Sequence, residues 1–215
     1  MPSRLATVIE LLHAAGEIGL ASQSAALPGY PYATSVAFAT DERHRPVFLL
    51  SRLAEHTRNL LADPRAGLVV AQDEGEGEIA RASLLGDVHP IEAEPALVRR
   101  YLRYHPAAER FVQFGDFHFY RFEPLRIRVV GGFAQAGWLD GKHLLDAAHI
   151  APNEEGRLLE HAPPLPQADA RLLGVDAYGI DLRVGAVRRR LTFGAGPLTA
   201  EAAPAAIARL LRGER

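Results

Sequence analysis

The chain has 215 residues, 48% of them hydrophobic, a formal net charge of −2 and no cysteine. That is enough apolar material for one domain of ordinary size with a small appendage. The charge gives no overall electrostatic grip on nucleic acid. The missing cysteine excludes disulfides, thiolate-bound metals and cysteine nucleophiles. No apolar run approaches the roughly 20 residues of a membrane-spanning helix, so no membrane is expected as a partner. The N-terminus lacks the basic, apolar and small-residue succession of a signal peptide, which makes the cytoplasm the expected compartment.

Residues 2–15 place Leu5, Val8, Ile9, Leu11 and Leu12 at helical spacing, with Ser3 as cap and Gly16 as stop. Residues 18–26 read as a strand of small residues, turned back at Leu27-Pro28-Gly29. Over 32–40, Tyr32, Thr34, Val36 and Phe38 alternate with Ala33, Ser35, Ala37 and Ala39. A polar turn over 41–45 and an apolar strand over 47–50 complete a β-meander rather than a βαβ unit.

A short helix over 57–62 packs through Leu60 and Leu61 and is closed by Asp63-Pro64, since the residue before proline disfavours helix. Its entry carries Ser51, Glu55, His56, Thr57 and Arg58. Free backbone N–H groups and the positive end of a helix favour an anion there. Helix capping plus surface charge accounts for the same residues, and spacing alone leaves both readings open.

Residues 66–71 are a buried strand, and the acidic run Asp73-Glu74-Gly75-Glu76-Gly77-Glu78 reads as a solvated hairpin loop rather than a metal site. In the strand over 79–90, Arg81 stands among apolar neighbours and Gly86 marks a bulge. A buried guanidinium there needs a carboxylate or a ligand. Residues 92–114 form one or two helices broken at His105-Pro106, and strands follow over 117–122 and 125–131. Six or seven strands with few, peripheral helices predict a mainly β (α+β) fold, a small antiparallel barrel. From Trp138 the composition shifts: a linker with short helices over 140–166, a hairpin over 179–182 and 187–193 about Gly185, and an alanine-rich helix over 199–212. Two units are expected, 1–138 and 139–215.

No G-x-G-x-x-G follows a strand, and no Walker loop or G-x-S-x-G elbow is present. The nine histidines include no H-x-H or H-x-x-x-H, so no protein-built metal centre is expected. His118, between Phe117 and Phe119, reads as a hydrogen-bonded barrel residue.

The run Y-P-Y-A-T-S-V-A-F-A-T-D, then P-V-F-L-L-S-R-L-A-E-H-T-R-N-L-L-A-D-P-R-A, resembles the FMN-binding split-barrel proteins related to pyridoxamine 5′-phosphate oxidase, and within them the haem-utilisation branch. A-R-A-S-L-L-G-D-V, Y-L-R-Y-H-P, F-G-D-F-H-F-Y-R-F and R-I-R-V-V-G-G-F-A-Q-A-G-W extend the resemblance over residues 18–138. It implies a homodimer with FMN at the subunit interface. By position, Thr34, Ser35 and Val36 would face the flavin and its ribityl chain, with Leu50 and Ser51 flanking it. His56, Thr57 and Arg58 would hold the phosphate, Arg81 would stand at the pyrimidine edge of the ring, and the turn Gly131-Gly132-Phe133 would close the pocket. V-D-A-Y-G-I-D-L followed by R-R-L-T-F resembles the small C-terminal domain of haem-utilisation relatives, without its M-N-x-D-H opening. The resulting expectation is flavin-dependent oxidoreduction of an unidentified small substrate. The alternatives are haem binding and degradation, or a flavin or haem carrier or sensor. No catalytic side chain stands out, and no second basic cluster argues for pyridoxamine phosphate.

Overall fold

The computed structural model describes residues 3–75, 78–131, 135–165, 167–194 and 196–213. Glu76 and Gly77 of the acidic run, and Gly132 and Phe133 of the expected closing turn, lie outside the described residues.

The first helix, α1 (Arg4–Ala14), begins where predicted: Ser3 Oγ accepts the Ala6 N–H at 3.2 Å. Its apolar stripe buries Val8, Ile9, Leu11 and Leu12 against the barrel core, each contributing about 1.5–3 kcal/mol relative to exposure. The chain then forms β1 (Glu17–Gln23), β2 (Pro31–Ala37), the two-residue β3 (Ala39–Thr40), β4 (Pro46–Ser51), α2 (Glu55–Ala62), β5 (Arg65–Gly75) and β6 (Glu78–Pro90). After α3 (Pro95–Tyr104), a 3-10 turn (Pro106–Ala108) and α4 (Glu109–Val112) come β7 (Phe117–Gly131) and β8 (Gln135–Asp140). The break at His105-Pro106 is thus present.

These eight strands form one antiparallel sheet in the order β2-β1-β5-β6-β7-β4-β3, with β8 also on β7. The long β7 pairs with β4 through its first half and with β8 through its second, while β6 runs along its other edge. The sheet curls until β2 approaches β4 without pairing, which leaves a split barrel. Phe38, Phe48 and Phe122 fill its centre. Where two strands were expected over 117–131, one continuous strand runs past Pro124. Pro124, which has no N–H to offer, sits opposite Gly86 at the register shift after Leu85. The predicted bulge is therefore what lets the strand continue.

The C-terminal part opens with α5 (Gly141–Leu145), whose Leu144 lies in the barrel core. It continues with α6 (Pro152–Glu160), β9 (Ala170–Asp176), β10 (Gly179–Val184), β11 (Val187–Thr192) and α7 (Ala203–Leu211). The expected hairpin, turning at Gly185 (φ 57°), is β10–β11, and β9 adds a third strand that the sequence pattern did not indicate. Ile180, Val175, Ile207 and Leu211 form a second core there. A third, smaller core of Tyr101, Tyr104, Phe119 and Leu173 seats α3 between barrel and C-terminal sheet. Among the described residues, no helix is long and apolar enough to cross a membrane.

A Cβ at Gly86 would fall 2.1 Å from the Glu123 carbonyl oxygen, which is backbone and cannot step aside. Gly86→Ala is expected to cost about 2–3 kcal/mol, in the range of overpacked interiors, read as a lower urea midpoint.

Candidate functional site

Two places concentrate polar chemistry. The first is the entry to α2. The Ser51 hydroxyl donates to Asp116 Oδ2 at 2.7 Å and accepts the Leu53 N–H at 3.1 Å. The Arg52 N–H donates to the Asp116 carbonyl at 2.7 Å. These bonds fix the turn into the helix. The N-cap is Ala54, so no side chain caps the first-turn N–H groups, and the positive helix end is left open to an anion. Thr57 is fully buried and its Oγ1 has no hydrogen-bond partner. An orphan buried hydroxyl is costly unless something outside the chain engages it. Burial pushes the His56 imidazole below its ordinary value. The helix is held from behind by buried Asn59, which donates to Ser22 Oγ at 3.2 Å and accepts the Ala25 N–H at 2.9 Å.

The residues expected around this seat divide. Val36 and Leu50 are buried inside the barrel and Thr34 is half-buried on the same face. Ser35 points the other way, as the strand pleat requires, and donates to Glu17 Oε2 at 2.8 Å. Thr34, Ser35 and Val36 therefore do not present one surface. Arg58 is exposed and its guanidinium is engaged by Glu55 at 2.6 Å, one turn back, rather than lying over the helix end. Arg81 is exposed as well: its position in β6 points outward between Ala71 and Val130, so the buried guanidinium expected there is not found. His118 is likewise on the exposed side of β7.

The second place is a buried ionic cluster that joins α1, the β3–β4 turn and the C-terminal sheet. His13 Nδ1 lies 2.8 Å from Asp181 Oδ2 and 3.2 Å from Asp176 Oδ2. Arg190 donates through Nη1 to Asp181 Oδ1 (2.7 Å) and Asp176 Oδ2 (2.8 Å), and through Nη2 to Asp176 Oδ1 (3.0 Å). The Tyr104 hydroxyl donates to Asp181 Oδ2 at 2.5 Å. Beyond His13, His44 Nδ1 stands 3.0 Å from His13 Nε2, and His44 Nε2 stands 3.0 Å from the Ala148 carbonyl. The cluster continues through Thr40, whose carbonyl accepts Arg100 Nε at 2.7 Å, to Glu155, which accepts from Arg100 Nη1 and from Arg103 Nη2.

The acceptors dictate the protons. A carbonyl accepts only, so His44 Nε2 carries hydrogen. Burial, the largest effect, lowers His44 to about 4, so its ring is neutral and Nδ1 accepts. His13 Nε2 must then donate to it, while His13 Nδ1 must donate to the carboxylates. Both His13 ring nitrogens thus face partners, and the Arg190 guanidinium lies against both Asp176 and Asp181. Burial raises both carboxyls, but Arg190 and then His13 outweigh it, holding Asp181 at about 2 and Asp176 lower still.

Sequence reading missed this cluster because His13 stands 31 residues from His44 and 168 from Asp181. Its one local signal is the His44 backbone, at φ 63° in the polar turn. His13, His44 and Asp176 come within 4.8 Å of one another, a metal-like grouping that H-x-H spacing could not reveal. Their ring nitrogens and carboxylate oxygens are already engaged by one another, Ala148 and Arg190.

Comparison with known proteins adds the following. The family model for the CREG β-barrel matches residues 6–145. The non-canonical heme oxygenase HOZ, chloroplastic, of Arabidopsis thaliana is 33% identical over 177 residues, covering 72% of this chain and 55% of that protein. Heme oxygenase HutZ of Vibrio cholerae is 30% identical over 117 residues, covering 50% of this chain and 65% of HutZ. The chain thus spans between about half and two thirds of the length of these relatives. Among solved structures, a heme binding protein from Mycobacterium smegmatis superposes with a TM-score of 0.64 at 25% identity, over 99% of this chain and 98% of that one.

The cluster generates a pH prediction. His44 titrates near 6.5 when unfolded and at about 4 when folded. The unfolded chain therefore binds more protons between these values, and stability present above pH 6.5 drains away as pH falls toward 4, by up to about 3 kcal/mol. Asp181 adds a further loss between its ordinary value of 3.8 and about 2. His44→Asn, which tolerates positive φ, should flatten the slope of stability against pH between 6.5 and 4 in urea titrations. An unchanged slope would show that His44 is not the titrating group.

Proposed function

This chain belongs to the CREG β-barrel family, and from that premise we propose that it is a haem-binding protein of the haem-utilisation kind that acts as a dimer. The observation that carries the reading is the 33% identity to a heme oxygenase, supported by end-to-end likeness to a heme binding protein. Haem offers two carboxylates on a flat apolar body, and the α2 entry has the features such a ligand needs. The uncapped helix end, the free Thr57 hydroxyl and half-buried His56 suit a propionate. Exposed Leu53, and Leu27 and Tyr30 on the loop that Asn59 holds against α2, supply apolar surface. Bound haem would supply iron redox chemistry, either oxidative ring opening or none if the protein is a carrier.

Support for pairing comes from the outward face of the sheet. Val69 and Leu85 are 47% and 49% exposed, and their strand neighbours Gly19, Ala21 and Gly67 leave that face flat. Large apolar side chains clustered on an open sheet face mark an interface. A second reading stays with the flavin: the same seat accepts a phosphate as readily as a carboxylate, with Thr34, Ser35, Val36, Leu50, Ser51, His56, Thr57, Arg58 and Arg81 as candidate contacts.

Titration of the purified protein with hemin is expected to give a saturable Soret shift, and FMN none. The reverse outcome installs the flavin reading instead. Thr57→Val should weaken hemin binding about tenfold through loss of a charge-assisted hydrogen bond. Its thermal midpoint without ligand should hold or rise, because the hydroxyl it removes is unpaired. In sedimentation, the wild-type chain should run as a dimer and Val69→Glu/Leu85→Glu as a monomer. Equal mass for both sinks the assignment of that face.

A further inference from the structure

A groove remote from the α2 entry lies between α3 and the C-terminal sheet. Its volume is about 520 Å³, its floor includes Leu102 and Pro106, and Arg99, Arg103, Arg171 and Arg183 stand around it. The pairing register makes the charge unusual. Arg171 on β9 is directly opposite Arg183 on β10, and Arg183 is directly opposite Arg188 on β11. One rung of the sheet is therefore arginine on all three strands. Like charges directly opposite each other destabilise a sheet.

Among the described residues no carboxylate forms an ion pair with any member of that rung, and only the buried Asp181 acts on Arg188 from a distance. Arg103 is bound to Glu155, which Arg100 already holds. The Arg188 guanidinium donates to the Ala15 carbonyl and lies 4.8 Å over the Tyr104 ring. Arg99, Arg171 and Arg183 have no ion pair to any described residue. The repulsion is felt locally: burial lowers the Arg188 guanidinium from its ordinary value and the Arg183 charge lowers it further. His105, next to Pro106, is lowered by burial with Arg188 and Arg183 adding to it, against the backbone Phe38 carbonyl and Glu17.

We propose that this groove binds an amphipathic organic anion, with the apolar body on Leu102 and Pro106 and the acid groups on the arginine rim. A cavity of this size with an apolar floor and a few convergent charged groups has the make-up of a small-molecule site. Guanidinium forks recognise carboxylates and phosphates in bidentate fashion. The site is separate from the proposed haem seat and does not depend on it.

The probe is 1-anilinonaphthalene-8-sulfonate, an apolar aromatic anion followed by its fluorescence, competed with inorganic pyrophosphate. Arg171→Glu removes a rim charge and turns the Arg171–Arg183 repulsion into an attraction. It is expected to weaken probe binding about tenfold, the loss of one charge-assisted contact. Its thermal midpoint should rise by about 1–4 °C. Arg99→Gln, on the exposed side of α3, should weaken the probe in the same direction. Thr57→Val should leave this binding unchanged, which separates failure of this site from failure of the haem reading. Probe isotherms that are equal for wild type, Arg171→Glu and Arg99→Gln overturn the proposal. Displacement of the probe by pyrophosphate at equal or lower concentration overturns its amphipathic part.

Discussion

The structure hangs on the pairing of two buried aspartates with one arginine and one histidine. Asp176 and Asp181 on the C-terminal sheet, Arg190 on its edge strand and His13 on α1 are all withdrawn from water. Leaving any one of these charges without its partner would cost about 3–5 kcal/mol, so the four are present together or not at all. This condition fixes how the C-terminal sheet sits on the barrel. α1 has its apolar stripe in the barrel core and its last-turn histidine in the ionic cluster. Helix α3 does the same from the other side, with Tyr104 on Asp181 and Arg100 on Glu155. Apolar contact alone permits sliding; charge-assisted bonds of fixed direction select one arrangement.

With that frame rigid, the barrel keeps an open helix end on its surface. The α2 entry is held by Ser51, Asp116 and Asn59, yet no side chain caps its first-turn N–H donors and the buried Thr57 hydroxyl is left without a partner. In the proposed reading, an anionic ligand group would engage these donors. The arginine rung of the C-terminal sheet poses a like problem, since like charges directly opposite one another destabilise a sheet, and the proposed anion would relieve it.

Much of the barrel was legible because it is local. Period-2 alternation over 32–37, the Ser3 cap, the His105-Pro106 break and the Gly86 bulge each depend on neighbours within a few residues, whereas past Ala37 the alternation gives way to three buried residues in succession. The site was legible only in part. Helix entry and Thr57 could be read from spacing, since dipole and free N–H groups are properties of any helix end. Arg58 could not, because whether it faces a ligand or Glu55 is decided by rotamer and exposure. Arg81 was misjudged for a related reason: apolar sequence neighbours on a strand lie on the opposite face, and its own face is the open one.

The sequence by itself determined an antiparallel barrel with a short helix after its third expected strand, through hydrophobic period, turn chemistry and the special residues Gly and Pro; the split of the second expected strand into β2 and β3 came only with the structure. Only the tertiary structure decided which charges meet. His13 and Asp181 are 168 residues apart, and no periodicity encodes a contact at that separation. Their pairing follows from burial, because a charge removed from water is stable only beside its complement. The α2 entry was the converse case: its unpaired hydroxyl became visible only once the partners of the described side chains around it had been assigned.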